Sequence, residues 1–150
     1  MRRRVALLSF LLVIVTLVSG CGKQDEELEN YKKSMETFFS NVDILNRSIN
    51  NIDPYAEDAS EKLLEQLDLF ETSIDQMAAL PVPEQFEGVE QLADEAAENM
   101  HEAVALYHQA YEGETYQQNL ADAAYQYYER VNVRLKYIIQ ILHGELTEEE

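Results

Sequence analysis

Apolar residues recur at alternating intervals of three and four through four separate stretches of this 150-residue chain. In the first stretch, Leu28, Tyr31, Met35, Phe38, Val42, Leu45, Ile49 and Ile52 follow one another at 3, 4, 3, 4, 3, 4 and 3 residues. An α-helix turns once in about 3.6 residues, so these side chains share one stripe, and burying that stripe requires a second helix. Alternation at every second residue, the mark of a strand, is absent from these stretches.

The same spacing returns three times. Ala56, Ala59, Leu63, Leu67, Phe70, Ile74 and Met77 make a second stripe, widened by Leu64 and Ala78. Phe86, Val89, Ala93, Ala96, Met100, Ala103, Tyr107 and Ala110 make a third, whose alanines let a neighbouring helix come close. Leu120, Ala124, Tyr127, Val131, Leu135, Ile138 and Leu142 make a fourth.

Breakers separate the stripes. Asn50, Asn51 and Asp53 crowd before Pro54, so the first helix is expected to end near Asn51, with Asp53 capping a second that begins at Pro54. Pro81-Val82-Pro83 stops the second helix. Gly113 is placed to take a left-handed cap after the third, and Thr115 with Gln118 matches a capping box for the fourth. His143 suits the negative end of the last helix, and Gly144 terminates it. Short connections favour antiparallel neighbours, so the expected fold is all-α: an up-down-up-down four-helix bundle over residues 26–144. The rival is three helices, with the first two merged or the first detached, and the Asp53-Pro54 break argues against merging.

The residues before the bundle have a different character. Arg2, Arg3 and Arg4 precede an uncharged run from Val5 to Val18, then small residues and the single cysteine, Cys21. A basic segment, a short apolar run and a small-residue site describe a secretory signal peptide. Val18-Ser19-Gly20-Cys21 resembles the lipobox of bacterial lipoproteins, with valine where leucine is commoner. That resemblance covers the first 21 residues. It implies lipid transfer to the Cys21 thiol and cleavage between Gly20 and Cys21, leaving a diacylglyceryl anchor on the new first residue. Two chains hold a membrane stably where one binds only marginally. The expected organisation is a signal peptide over 1–20, a lipidated cysteine and tether over 21–25, the bundle, and an acidic tail over 145–150. The expected location is the outer face of the cytoplasmic membrane, with the outer membrane left open. An ordinary secretory signal with an incidental cysteine is the other reading of these residues.

Charge excludes more than it assigns. The whole chain carries −18, and three of its 11 basic residues lie in the leader, leaving 8 against 29 acidic residues, or −21, in the mature part. Nucleic-acid binding needs a basic footprint, so no nucleic-acid partner is expected. The Glu98-x-x-His101 spacing of carboxylate-bridged metal bundles is present, but both residues fall outside the stripe, and His108 lies seven residues from His101, too far to share one ion. There is no phosphate-binding glycine loop and no nucleophile elbow. The expectation is a protein that is not an enzyme and uses no cofactor beyond the lipid on Cys21.

The tyrosines point to a surface. The chain has nine and no tryptophan. With Cys21 at the membrane, the first helix runs outward, so the turns near Pro54 and Gly113 are distal and Pro81–Pro83 is proximal. Tyr55, Tyr111 and Tyr116 then meet at the distal end, with Tyr107 one turn below and Asp53, Glu112 and Glu114 at the rim. Aromatic rings supply contact area at low entropy cost, and carboxylates steer a cationic partner. The favoured function is therefore a non-enzymatic binding or interaction module. Its partners besides the membrane would be an envelope protein, a wall component or a cationic ligand. A structural spacer without a ligand is the alternative, and a metal-binding bundle stands behind both.

Overall fold

The computed structural model describes the backbone from Arg2 to Glu145 and the side chains from Gly22 to Glu145. The expectations placed on Gly20, Cys21 and the leader concern side chains outside that range, and those on the tail beyond Glu145 concern residues outside it.

The chain forms α1 (Arg2–Asn50), α2 (Ala59–Ala78), α3 (Gly88–Tyr111) and α4 (Gln118–Leu142), with one 3-10 turn (Glu84–Phe86) before α3 and no strand among the described residues. Successive helices pack side by side, giving an all-α antiparallel four-helix bundle. Packing is closest between α3 and α4, then α2 and α3, then α1 and α2. The α3–α4 seam owes this to its alanines: Ala93, Ala96, Ala103 and Ala110 of α3 and Ala121 and Ala124 of α4 are all buried, and small side chains shorten the interaxial distance. α4 reaches α1 through longer side chains; the Tyr128 hydroxyl donates to Asn46 Oδ1 at 3.1 Å.

The stripes are the core. Tyr31, Met35, Phe38 and Val42 of α1 meet Leu67, Phe70, Ile74 and Met77 of α2, Val89, Ala93, Ala96 and Met100 of α3, and Val131, Leu135 and Ile138 of α4. No polar or charged residue is fully buried among the described residues. Among them, too, no helix is long and apolar enough to cross a membrane.

The helix ends differ from expectation, each for a local reason. α1 is helical through 22–25, so those residues of the stretch expected as a tether are helix. Lys23, Gln24, Glu26 and Glu27 are good helix formers, and Gly22, by about 1 kcal/mol, and Asp25, by less, oppose them. α2 starts at Ala59, not Pro54. The Asp53 carboxylate accepts from the Tyr55 backbone N–H at 3.0 Å, and Ala56 N–H donates to the Asp53 carbonyl at 3.1 Å. Asp53 thus closes a turn within 51–58 and does not cap α2. Asp58 holds the cap position without a capping bond; its carboxylate pairs with Lys62 at 2.9 Å.

The α3–α4 connection corrects two further expectations. Gly113 is not left-handed; among the described residues only Gly144 has positive φ, 71°. Gln117 does the closing instead. Its N–H donates to the Ala110 carbonyl at 3.0 Å, and its side-chain amide reaches the Gln109 carbonyl at 3.4 Å. These bonds satisfy carbonyls that a glycine cap would otherwise have had to reach. The Thr115–Gln118 capping box does not form, since α4 has no side-chain cap and Gln118 donates to Asp122 at 2.8 Å. At the other end of α4, Gly144 N–H donates to the Ile141 carbonyl at 3.0 Å and Glu145 N–H to the Gln140 carbonyl at 2.8 Å. That pair of bonds is the expected glycine stop.

Candidate functional site

The two turns expected to be neighbours are neighbours. Residues 51–58 join α1 to α2, the stretch after Tyr111 joins α3 to α4, and a pocket of about 500 Å³ lies between them. Ile49, Ile52, Pro54, Ala56, Ala59, Ser60 and Leu63 line it from α1, the first turn and α2, and Tyr111 and Tyr116 line it from the other side. Its size falls in the ordinary range of small-ligand sites.

The tyrosines divide into three kinds. Tyr107, Tyr111 and Tyr116 form a continuous series: the ring centroids of Tyr107 and Tyr111 are 6.4 Å apart and stacked, and those of Tyr111 and Tyr116 are 5.0 Å apart with planes tilted by 43°. Tyr107 lies behind Tyr111 and does not line the pocket. Tyr55 is 94% exposed and also takes no part in the lining; it stands on the outer lip beside Pro54. Burial pushes the Tyr107 phenol up to about 12, with Tyr111, Tyr128, Tyr125 and Tyr116 adding to the effect. Burial, then the Tyr116 hydroxyl, raises Tyr111. Both rings are therefore neutral phenols near neutral pH.

The acidic rim is uneven. Asp53 is exposed and spends one oxygen on its own turn. Glu114 is exposed and forms no ion pair among the described residues. Glu112 is already engaged, 2.8 Å from His108 Nδ1.

That last contact belongs to a ladder between α2 and α3 that sequence reasoning did not find. His108 Nε2 lies 2.8 Å from Asp68. His101 Nδ1 lies 2.7 Å from Glu71, and its Nε2 lies 3.2 Å from Asp75. Asp68 and Asp75 are a heptad apart on α2, and His101 and His108 a heptad apart on the antiparallel α3. Matching seven-residue steps in opposite directions was a signal available in the sequence, once α2 and α3 were paired. As expected, His101 and Glu98 are exposed. Among the described residues, no three His, Cys, Asp or Glu side chains converge on a point a metal ion could take.

The ladder has a pH dependence. Asp68 raises the His108 pKa above the usual histidine value of 6.5; burial opposes it, and Glu112 adds a further upward effect. A pKa raised on folding contributes stability that is complete below the unfolded value and lost as pH rises through the folded one. Both partners are about half exposed, so the contribution is at most about 1 kcal/mol. His108→Gln should therefore cost about 0.5–1 kcal/mol at pH 5.5 and close to nothing at pH 9. Urea melts at both pH values check this; an equal loss at both would remove the charge from the explanation.

A second opening, of about 390 Å³, lies at the opposite end of the bundle, lined by Lys32, Met35, Glu36, Phe39, Ile139, Leu142 and His143 where α1 and α4 diverge. It contains none of the expected site residues. Tyr31 sits near that end too, but it is buried and packs on Phe86 with centroids 5.9 Å apart. Comparison with protein-family models, with curated proteins and with solved structures finds no match to this chain.

Proposed function

We propose that the chain is an exported, lipid-anchored lipoprotein whose four-helix bundle works as a non-enzymatic binding module, capturing its partner at the tyrosine end. The observation that carries this reading is the pocket between residues 51–58 and the α3–α4 turn, with Tyr111 and Tyr116 on one wall. Two helix-joining turns are enough to close a bundle; neither needs a tyrosine. Tyr55 and Tyr116 nevertheless lie on them, and Tyr116 faces the cavity together with Tyr111 from the end of α3. The lipobox-like Val18-Ser19-Gly20-Cys21 supports the anchor. With the membrane at Cys21 and α1 running outward, the pocket would face away from the bilayer. The strongly acidic domain would also be repelled by anionic headgroups.

The test is capture of envelope partners by the wild-type protein and by a variant with Tyr55, Tyr111 and Tyr116 all changed to alanine, after circular dichroism confirms the helices. The variant is expected to lose the partner, because rings of this kind supply much of an interface's energy. Retention at the wild-type level would make the tyrosines structural and place the binding surface elsewhere.

A further inference from the structure

Charge is spread unevenly over the four helices. α2 carries five carboxylates against one lysine, and α3 carries five against no lysine or arginine. Residues 22–50 of α1 carry six carboxylates against four basic side chains. α4 reverses the balance, with Asp122 and Glu129 against Arg130, Arg134 and Lys136. It also exposes the most large apolar side chains among the described residues: Tyr125, Val133 and Tyr137, where α1 and α2 expose one each, Ile44 and Leu69. For another acidic molecule, α4 is the side of the bundle with the least repulsion and the most apolar contact to offer.

The exposed residues of α4 form a second seam, turned away from the core. Gln126, Arg130, Val133 and Tyr137 follow one another at 4, 3 and 4 residues, so they share one stripe of the helix, and all four are exposed. Along one edge of that stripe stand Asp122, Glu129, Lys136 and His143, each a heptad from the next. Their order is acid, acid, base, base. Lys136 forms no ion pair among the described residues. His143 is only loosely held, 4.0 Å from Glu145. Asp122 and Glu129 each engage one oxygen within the helix, with Gln118 and Tyr125. Arg134 is already committed to α3, 2.9 Å from Glu95, and lies off this stripe.

We infer that the outer face of α4 is a docking surface for a second copy of this chain, the two α4 helices packing antiparallel about a two-fold axis. The order of the charges fixes both occupant and direction. A two-fold axis crossing α4 near Asn132 sets Glu129 against Lys136 of the second copy and Asp122 against its His143, and the symmetry repeats each contact. The same register lays Val133 on the aliphatic stem of Arg130 and Tyr137 on Gln126. A parallel pair would oppose Asp122, Glu129 and Lys136 each to its own counterpart, and like charges in contact are costly. One helix against one buries less than the roughly 1,600 Å² of a standard interface, so the pair is weak. Copies standing upright on one bilayer are parallel. On the lipoprotein reading, the antiparallel pair therefore joins copies anchored on facing surfaces.

The experiment is analytical ultracentrifugation of the full chain in maltoside micelles over a wide range of concentration, at about 0.15 M salt to screen the net charge. A reversible monomer–dimer equilibrium is expected. Glu129→Lys and Lys136→Glu change exposed residues, so circular dichroism should be unaltered, and each should weaken pairing about tenfold or more. The double variant Glu129→Lys with Lys136→Glu exchanges the two charges and keeps them complementary; it should pair nearly as wild type. A wild-type chain that is monomeric at every concentration overturns the inference. Single variants that pair like wild type overturn the antiparallel register, and so does a folded double variant that stays monomeric. In a second arm, lipidated protein in phosphatidylcholine vesicles should cluster them, and the Lys136→Glu variant should not. Pairing in micelles without clustering of vesicles overturns the facing-surface assignment alone. No residue of the tyrosine end takes part in the seam, so this test and the capture test with the triple tyrosine variant fail independently.

Discussion

Replacing Phe70 with alanine should destabilise the bundle by about 3–5 kcal/mol, the range for deleting a buried aromatic ring. Phe70 has no exposed surface. It packs in the shared core of all four helices and meets the Tyr128 ring edge-to-face, centroids 5.9 Å apart. Its loss would therefore leave a cavity and also loosen the ring that ties α4 to α1 through Asn46. A domain of this size is typically stable by only about 5–15 kcal/mol, so the variant should melt at much lower denaturant. His101→Ala is the comparison. That side chain is 55% exposed, and its carboxylate neighbours are in contact with solvent, so its removal should cost less than about 1 kcal/mol. Urea melts giving the opposite order would mean that the stripes had been assigned to the wrong faces.

Cys21→Ser should abolish the lipid anchor. The lipid would be attached through the thiol, and a serine hydroxyl cannot take its place in that transfer. The variant should remain an unlipidated precursor with its leader uncleaved, held only by the apolar run from Val5 to Val18. Mass spectrometry of the mature N-terminus distinguishes the states. A wild-type protein with an unmodified Cys21, or one cleaved at another position, would contradict the lipoprotein reading.

How far the sequence could be read depended on the length scale of each signal. The stripes repeat over many turns and depend on averaged hydrophobicity, so Met35, Phe70, Met100 and Ile138 could be placed in the core before any coordinates. The caps depend on single hydrogen bonds, where several donors compete for one carbonyl. Gln117 took the place of Gly113 in closing α3, and no periodic pattern in the sequence announces that. Asp53 accepts from the Tyr55 N–H as an N-cap would, but the turn it starts is not continued and α2 begins only at Ala59. The meeting of the two tyrosine-bearing turns followed from helix direction alone and so was legible. Which tyrosines line the pocket was not: Tyr55 and Tyr116 sit at similar turns, yet one points into solvent and the other faces the cavity. The histidine ladder went unread because it needs two helices aligned in register, and each of its members looks on its own like an ordinary surface residue.

Photocross-linking in intact cells tests the working end most directly. A photoreactive phenylalanine analogue would replace Tyr55, Tyr116 or, at the opposite end, Glu84, with each variant expressed at the same level. All three positions are exposed, so reactivity depends on what lies beside them. Covalent adducts to one defined partner are expected from positions 55 and 116, with none from position 84. Adducts from position 84 alone, or the same adducts from both ends, would contradict the assignment of the tyrosine end as the surface that does the binding.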